Sequence, residues 1–264
     1  MTTFEYPLSE KTRTYLRAEE LLQRLHQLIV RDDAVSHHAA IQALFDLQEM
    51  VNRSDVKGDL IKDLERQRVA LSGFKGNPDI SEAVLSALLQ HLERSHTALV
   101  QSTGKPGQSL SESEWLNAIR GRIGIPAGTC SFDMPAYHRW RQLAADSRRV
   151  HLEAWAGHFK AMSDALRLLL GMLRDNAETV TVVAVGGQFQ QALPQGRSYQ
   201  LLRIELPQDR DDAVPEISAN RLLVHLVHLA FGLQLVGVFL RHDRGERHRD
   251  VGEERRLLAL QREL

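Results

Sequence analysis

Apolar side chains return at every third or fourth position over most of the first 176 residues and at every second position in much of the remainder. The chain is therefore predicted to change from helix to strand near Asn176. After Ser9, a residue suited to cap a helix, Ala18, Leu21, Leu22, Leu25, Leu28 and Ile29 hold one helical stripe. Stepped at about 100° per residue, Arg13, Arg17, Glu20, Arg24, Gln27 and Arg31 fall within about 40° of a line on the other side. Four arginines then share a ridge with a single acid. Further helices are predicted over 36–51, 55–71, 80–100 and 111–122, and Asn77-Pro78 separates two of them because proline disfavours helix at the preceding residue. A long helix is expected over 146–176, where Leu152, Trp155, Ala156, Phe159, Met162, Ser163, Leu166, Leu169, Leu170 and Leu173 form one stripe.

Beyond residue 176 the stretch 179–185 is β-branched, Gly186-Gly187 marks a turn, and Leu202, Ile204 and Leu206 alternate with Arg203 and Glu205. The fold class predicted is α+β, with an all-helical domain over 1–176 and a small antiparallel β domain over 177–224.

The overall charge narrows the candidate partners. Lys+Arg total 33 against Asp+Glu 34, so the chain has no global basic field for holding nucleic acid or an anionic membrane without specificity. A single cysteine, Cys130, excludes an intrachain disulfide and any multi-cysteine metal site, and a reducing cytoplasm suits it. The N-terminus has no positive patch followed by an apolar run, so no secretory signal is expected. Phosphate-binding, dinucleotide-binding, zinc-protease and serine-hydrolase signatures are absent from the sequence. The twelve histidines are not accompanied by carboxylates at a repeated ligand spacing, so no metal or other cofactor is expected. Cys130, with Asp133 beside it and His138 one to two helical turns on, fits either a nucleophile or a small buried thiol.

The concentrated feature is 119–149, where Arg120, Arg122, Arg139, Arg141, Arg148 and Arg149 face only Asp133 and Asp146. This local excess of four positive charges surrounds a Pro- and Gly-punctuated loop over 125–135, in which Phe132 is expected to anchor the loop and Asp133 to cap the following helix. That helix would present His138, Trp140 and the arginines. Guanidinium groups beside aromatic surface suit a carboxylate-bearing peptide, and the opposing reading is a solvated helix face with Trp140 in the core.

Phe4-Glu5-x-Pro7-Leu8-x-Glu10-Lys11-x-Arg13-Thr14-x-Leu16-Arg17 and Ile125-Pro126-x-Gly128-x-Cys130-Ser131-Phe132-Asp133-x-Pro135-x-x-His138-x-Trp140 resemble the signatures of the ZapD family of bacterial cell-division factors. Leu60-Ile61-Lys62-Asp63-Leu64-Glu65-Arg66-Gln67 and Pro215-Glu216-Ile217-Ser218 are weaker echoes. The resemblance spans residues 4 to 224. It implies a cytoplasmic, non-enzymatic homodimer that binds the C-terminal tail of the tubulin-like protein FtsZ and bundles FtsZ protofilaments at midcell. Arg17 and His138 lie inside the matching motifs, and Arg120 and Arg122 precede the second. Arg13, Arg24 and Arg141 join the candidate partner-binding set.

From His225 the resemblance fails. Residues 222–240 hold fourteen apolar residues with His225, His228 and Gln234, a length compatible with a membrane span, although the histidines favour a buried segment over stable membrane insertion. Residues 225–264 are therefore set apart as a divergent tail of uncertain structure, and one hypothesis for the abruptness is a reading-frame disruption near residue 225 of the gene. The competing function is a nucleic-acid-binding helical protein using the same arginines against phosphates, while the resemblance implies no nucleic-acid partner.

Overall fold

The computed structural model describes residues 1–175, 177–183, 187–193, 198–206, 214–219, 223–227 and 234–242. They form two compact units, one of residues 1–16, 75–85 and 169 onward, the other of 17–74 and 86–168. The fold class is α+β, as the change of periodicity predicts.

The first unit is built on two antiparallel sheets. Strand β1 (Thr2–Pro7) pairs with β4 (Ser198–Leu206), β4 with β7 (Gln234–His242), and β7 with β2 (Ala177–Val183). The second sheet sets β6 (Leu223–Val227) between β3 (Phe189–Ala192) and β5 (Glu216–Ala219). Because side chains alternate along a strand, Leu202, Ile204 and Leu206 share one face of β4 and are buried with Leu193, against Phe4, Tyr6, Phe189 and Ile217. Leu201 points the other way and is enclosed by Leu16 and Leu173.

Two expectations about domain limits change here. The edge strand β1 comes from residues counted with the helical domain, and residues 223–227 and 234–242, mostly counted with the tail, are strands, β7 lying between two partners. Among the described residues no helix is long and apolar enough to cross a membrane. Residues 243–264 lie outside the described residues.

The helices start largely where the sequence places them. Ser9 Oγ accepts from the Thr12 amide at 3.1 Å at the head of α1 (Glu10–Ile29). Asp33 caps α2 (Ala34–Arg53) through the Ser36 amide at 2.7 Å; hydrogen bonds from the Ser36 hydroxyl and amide lower the Asp33 carboxyl below its ordinary range. Asp55 caps α3 (Val56–Ser72) and Ser113 caps α5 (Glu114–Ile123), with α4 (Glu82–Gln101) between them. A short α6 (Pro135–Arg141) follows.

The single helix expected over 146–176 is two, α7 (Ala145–Gly157) and α8 (Lys160–Asp175). The chain turns at His158 and Phe159, whose amides bond to the Trp155 and Ala156 carbonyls, and Phe159 enters the core completely. Phe159 lies against Gly107, whose φ is +73° and where a Cβ would come 2.2 Å from the ring. A side chain at 107 is therefore excluded both by backbone conformation and by space.

Near the C-terminal end of α8, Arg174 donates from Nε and Nη2 to the two Glu5 oxygens of β1, both at 2.8 Å, in a mostly buried fork. Glu5→Ala is expected to lower stability by about 2 kcal/mol in urea unfolding, and Arg174→Ala in the Glu5→Ala background to cost much less than it does alone.

Candidate functional site

The ridge on α1 faces outward as its spacing requires: Arg17, Glu20, Arg24, Gln27 and Arg31 are all exposed. Its arginines differ in what already holds them. Arg13, in the strand-rich unit, pairs with Glu10 at 3.3 Å and lies 5.8 Å from the centre of the Tyr6 ring. Arg24 pairs with Glu20 at 3.2 Å and also offsets part of the burial that raises the Asp46 carboxyl. The Arg17 side chain makes no ion pair or hydrogen bond among the described residues.

The six arginines of 119–149 divide more sharply. Arg148 is 5% exposed and donates only to neutral acceptors: His37 Nδ1 at 2.8 Å, the Arg141 carbonyl at 3.0 Å, and the Leu143 and Asp32 carbonyls. Since a guanidinium can only donate, His37 must accept at Nδ1, and its proton sits on Nε2, which donates to the Ile29 carbonyl at 3.2 Å. Arg149 bridges Asp32 and Asp146. Arg120 donates to buried Gln48, which in turn donates to the Gly107 carbonyl, and its guanidinium lies 4.6 Å from the centre of the Phe45 ring. Arg141 is half-buried beside His38 and Tyr137, and its Nε has no hydrogen-bond partner among the described residues. Two of the predicted contact residues, Arg120 and Arg141, are thus set into the helical unit, whereas Arg122 and Arg139 extend outward.

Helix α6 explains the separation. Tyr137 and Trp140, one turn apart, turn inward and are buried, which leaves His138 and Arg139 exposed. All three tryptophans join Tyr137 in one cluster: Trp115 stacks on Trp155 at 5.4 Å, Trp140 on Tyr137 at 5.7 Å, and Trp115 meets Trp140 edge-on at 5.7 Å. Trp140 is therefore a core residue whose Nε1 donates to His151, not part of the presented surface. The Tyr137 hydroxyl is hydrogen-bonded to His38 Nδ1 at 2.6 Å, and burial lowers the His38 pKa while raising that of Tyr137 to about 12; Arg141 nearby lowers both.

The loop between α5 and α6 is wound from successive turns, with backbone bonds from Gly128 to Ile125, Cys130 to Ala127 and Met134 to Cys130. Ala127 has φ +57°, a strained value for a residue with a Cβ. Two expectations for this loop are overturned. Phe132 does not anchor it, being 84% exposed, and Asp133 does not cap α6, whose first turn lacks a side-chain cap. Instead Asp133 accepts from the Cys130 thiol at 3.2 Å and stands 4.0 Å from Arg122. The thiol thus contacts Asp133, with no bond to His138. Among the described residues no three His, Cys, Asp or Glu side chains gather as metal ligands.

The model of the ZapD family, described as a cell division protein, matches residues 16–226. The chain belongs to the ZapD family. It is 43% identical to the cell division protein ZapD of Chromobacterium violaceum over 226 residues, which is 86% of this chain and 89% of that relative. The match to the ZapD model takes in Arg17 and the whole of 119–149. Sequence reasoning missed that Ile125, Pro126, Ala127 and Phe132 would all be exposed on the loop that Arg122 precedes and His138 follows. The available signal was that these residues sit among turn formers, off any helical stripe.

Arg148→Met should destabilise the protein by about 3 kcal/mol or more, since it leaves three carbonyls and His37 without their donor, whereas Arg122→Ala should stay within about 0.5 kcal/mol; urea unfolding checks both. The titrating pair gives a second expectation. Below pH 6.5 the unfolded chain protonates His38 more readily than the native state does, so stability falls there; above pH 10 it loses the Tyr137 proton more readily, so stability falls again toward pH 12. Thermal melts of the wild type and of His38→Gln should show the acid-side loss diminished in the variant.

Proposed function

We propose that this protein is a cytoplasmic cell-division adaptor that binds the C-terminal tail of FtsZ and, as a homodimer, crosslinks and bundles FtsZ protofilaments at midcell to stabilise the Z-ring. Family membership supports the cell-division role, and the motif resemblance over residues 4–17 and 125–140 supports the partner. The observation that carries the site assignment is that, while Arg120, Arg148 and Arg149 are engaged within the protein, Arg17 on α1, and Arg122, His138 and Arg139 around the α5–α6 loop, are exposed basic side chains. These are the direct contacts for tail carboxylates, because a guanidinium pairs bidentately with a carboxylate and is little engaged at these positions. Arg13 and Arg24, each already paired with a glutamate of α1, are secondary contacts, while Arg120 acts from the interior by holding α5 to Gln48, and Arg141 is half-buried beside Tyr137.

A crosslinker needs two copies of a weak site. Binding through one subunit makes the second engagement intramolecular, so avidity can exceed either affinity by about 10²–10⁴. A twofold dimer supplies both copies at once. The nucleic-acid reading loses its main support when Arg148, Arg149 and Arg120 are occupied within the protein, because fewer cations remain to neutralise phosphates.

Sedimentation of assembled FtsZ with and without the protein tests the proposal directly. More FtsZ should pellet when the protein is added, and the gain should disappear with tail-truncated FtsZ and diminish steeply as salt rises. Bundling that persists without the tail would refute the mechanism. In a tail-peptide titration, Arg17→Asp should lower affinity while the dimer remains intact by analytical ultracentrifugation.

A further inference from the structure

The loop joining α5 to α6 exposes apolar surface that its own fold does not use. Ile125, Pro126 and Ala127 are exposed in succession, and Phe132 is 84% exposed five residues later. Exposed aliphatic residues are common, but an aromatic ring left almost wholly in water on an ordered loop is not. The loop does not depend on that ring for its shape, which comes from the consecutive backbone turns, the Cys130 to Asp133 bond and a buried Gly128. A Cβ at 128 would come 2.6 Å from the Arg122 carbonyl, so the backbone is drawn in tightly at that point. Ala127 in the left-handed region adds a local cost that the rest of the loop must offset.

The charges that flank the loop are unbalanced. Arg122 is 51% exposed, His138 and Arg139 are exposed, and the one acid within 122–139 is Asp133. Asp133 engages Arg122 only at 4.0 Å, the outer limit of an ion pair, so an incoming carboxylate can replace it with a closer contact.

We propose that Phe132 is the apolar anchor of the docking surface, inserting against a large apolar side chain of the bound peptide while Arg122, Arg139 and His138 receive that peptide's neighbouring carboxylates. This rests on the tail-binding reading above and deepens it by adding to a charge-based contact a component that salt does not screen. The occupant is an acidic peptide with an apolar residue beside its acids, not a lipid surface. One ring and one isoleucine give little insertion into a bilayer, and Asp133 would be brought against anionic headgroups.

Fluorescence-anisotropy titration of a labelled FtsZ tail peptide into the full-length protein and its Phe132→Ala and Phe132→Leu variants tests this, with phosphatidylglycerol vesicle co-sedimentation alongside. Phe132→Ala should weaken peptide binding by about tenfold, Phe132→Leu should retain most of the affinity, and the melting temperature should not move because the ring is exposed. The loss should be the same at low and high salt, whereas Arg122→Ala should lower the salt dependence itself. If the wild type binds the peptide and Phe132→Ala binds it equally well, the anchor is refuted and the tail-binding reading stands. If the wild type does not bind the peptide, the tail-binding reading falls and the anchor with it. Vesicle binding that requires Phe132, with peptide binding indifferent to it, would assign the ring to a membrane and overturn the proposal.

Discussion

Arg148 is a cation enclosed in the helical unit with no carboxylate among its acceptors. Such a charge is tolerated only when it is well hydrogen-bonded, and here four bonds from the guanidinium reach His37 at the start of α2, the Asp32 carbonyl just after α1, and the Arg141 and Leu143 carbonyls at and just past the end of α6. Carbonyls at helix ends lack intrahelical partners, so one side chain satisfies groups that the helices themselves cannot. The same contacts fix where α6 ends, and with it which of its faces is turned inward. His37 extends the tie by donating to Ile29, the last residue of α1.

From that fixed point the candidate surface follows by helix geometry. With Tyr137 and Trp140 committed to the aromatic cluster, His138 and Arg139 have only the outward side available. Arg120, held by Gln48 and laid against Phe45, plays the corresponding part for α5, and Arg122 two residues on is left exposed. Interior arginines thus hold the elements that carry the exterior ones. Sequence counting merges these two roles into one basic patch.

Much of the fold was legible because it obeys local rules. The Ser9 cap, the α1 stripe and its outward ridge, and the alternation of Leu202, Ile204 and Leu206 all depend on nearest neighbours along one element. Strand β1 was not legible, since six residues with Phe4 and Tyr6 on one side gain their meaning only from a partner some two hundred positions away. The interruption between α7 and α8 is hidden in the sequence because the apolar stripe runs on in register across it. For the arginines a usable signal existed. Arg120, Arg141 and Arg148 each lie four residues from a buried apolar position, namely Leu116, Tyr137 and Leu152. Arg122 carries no such signal, since the positions four residues away, Ala118 and Pro126, are both exposed.

The ZapD family places this chain in cell division, and its two classes of arginine give that role a physical form: an interior set that holds the helices and an exterior set, around the α5–α6 loop and on α1, that we propose meets an acidic tail. Amide hydrogen exchange with and without a saturating FtsZ tail peptide tests this division most directly. Exchange should slow in residues 122–139 and along α1 near Arg17, with little change in residues 102–109 or in the strands; slowing confined to the strands, or absent from 122–139, would contradict it.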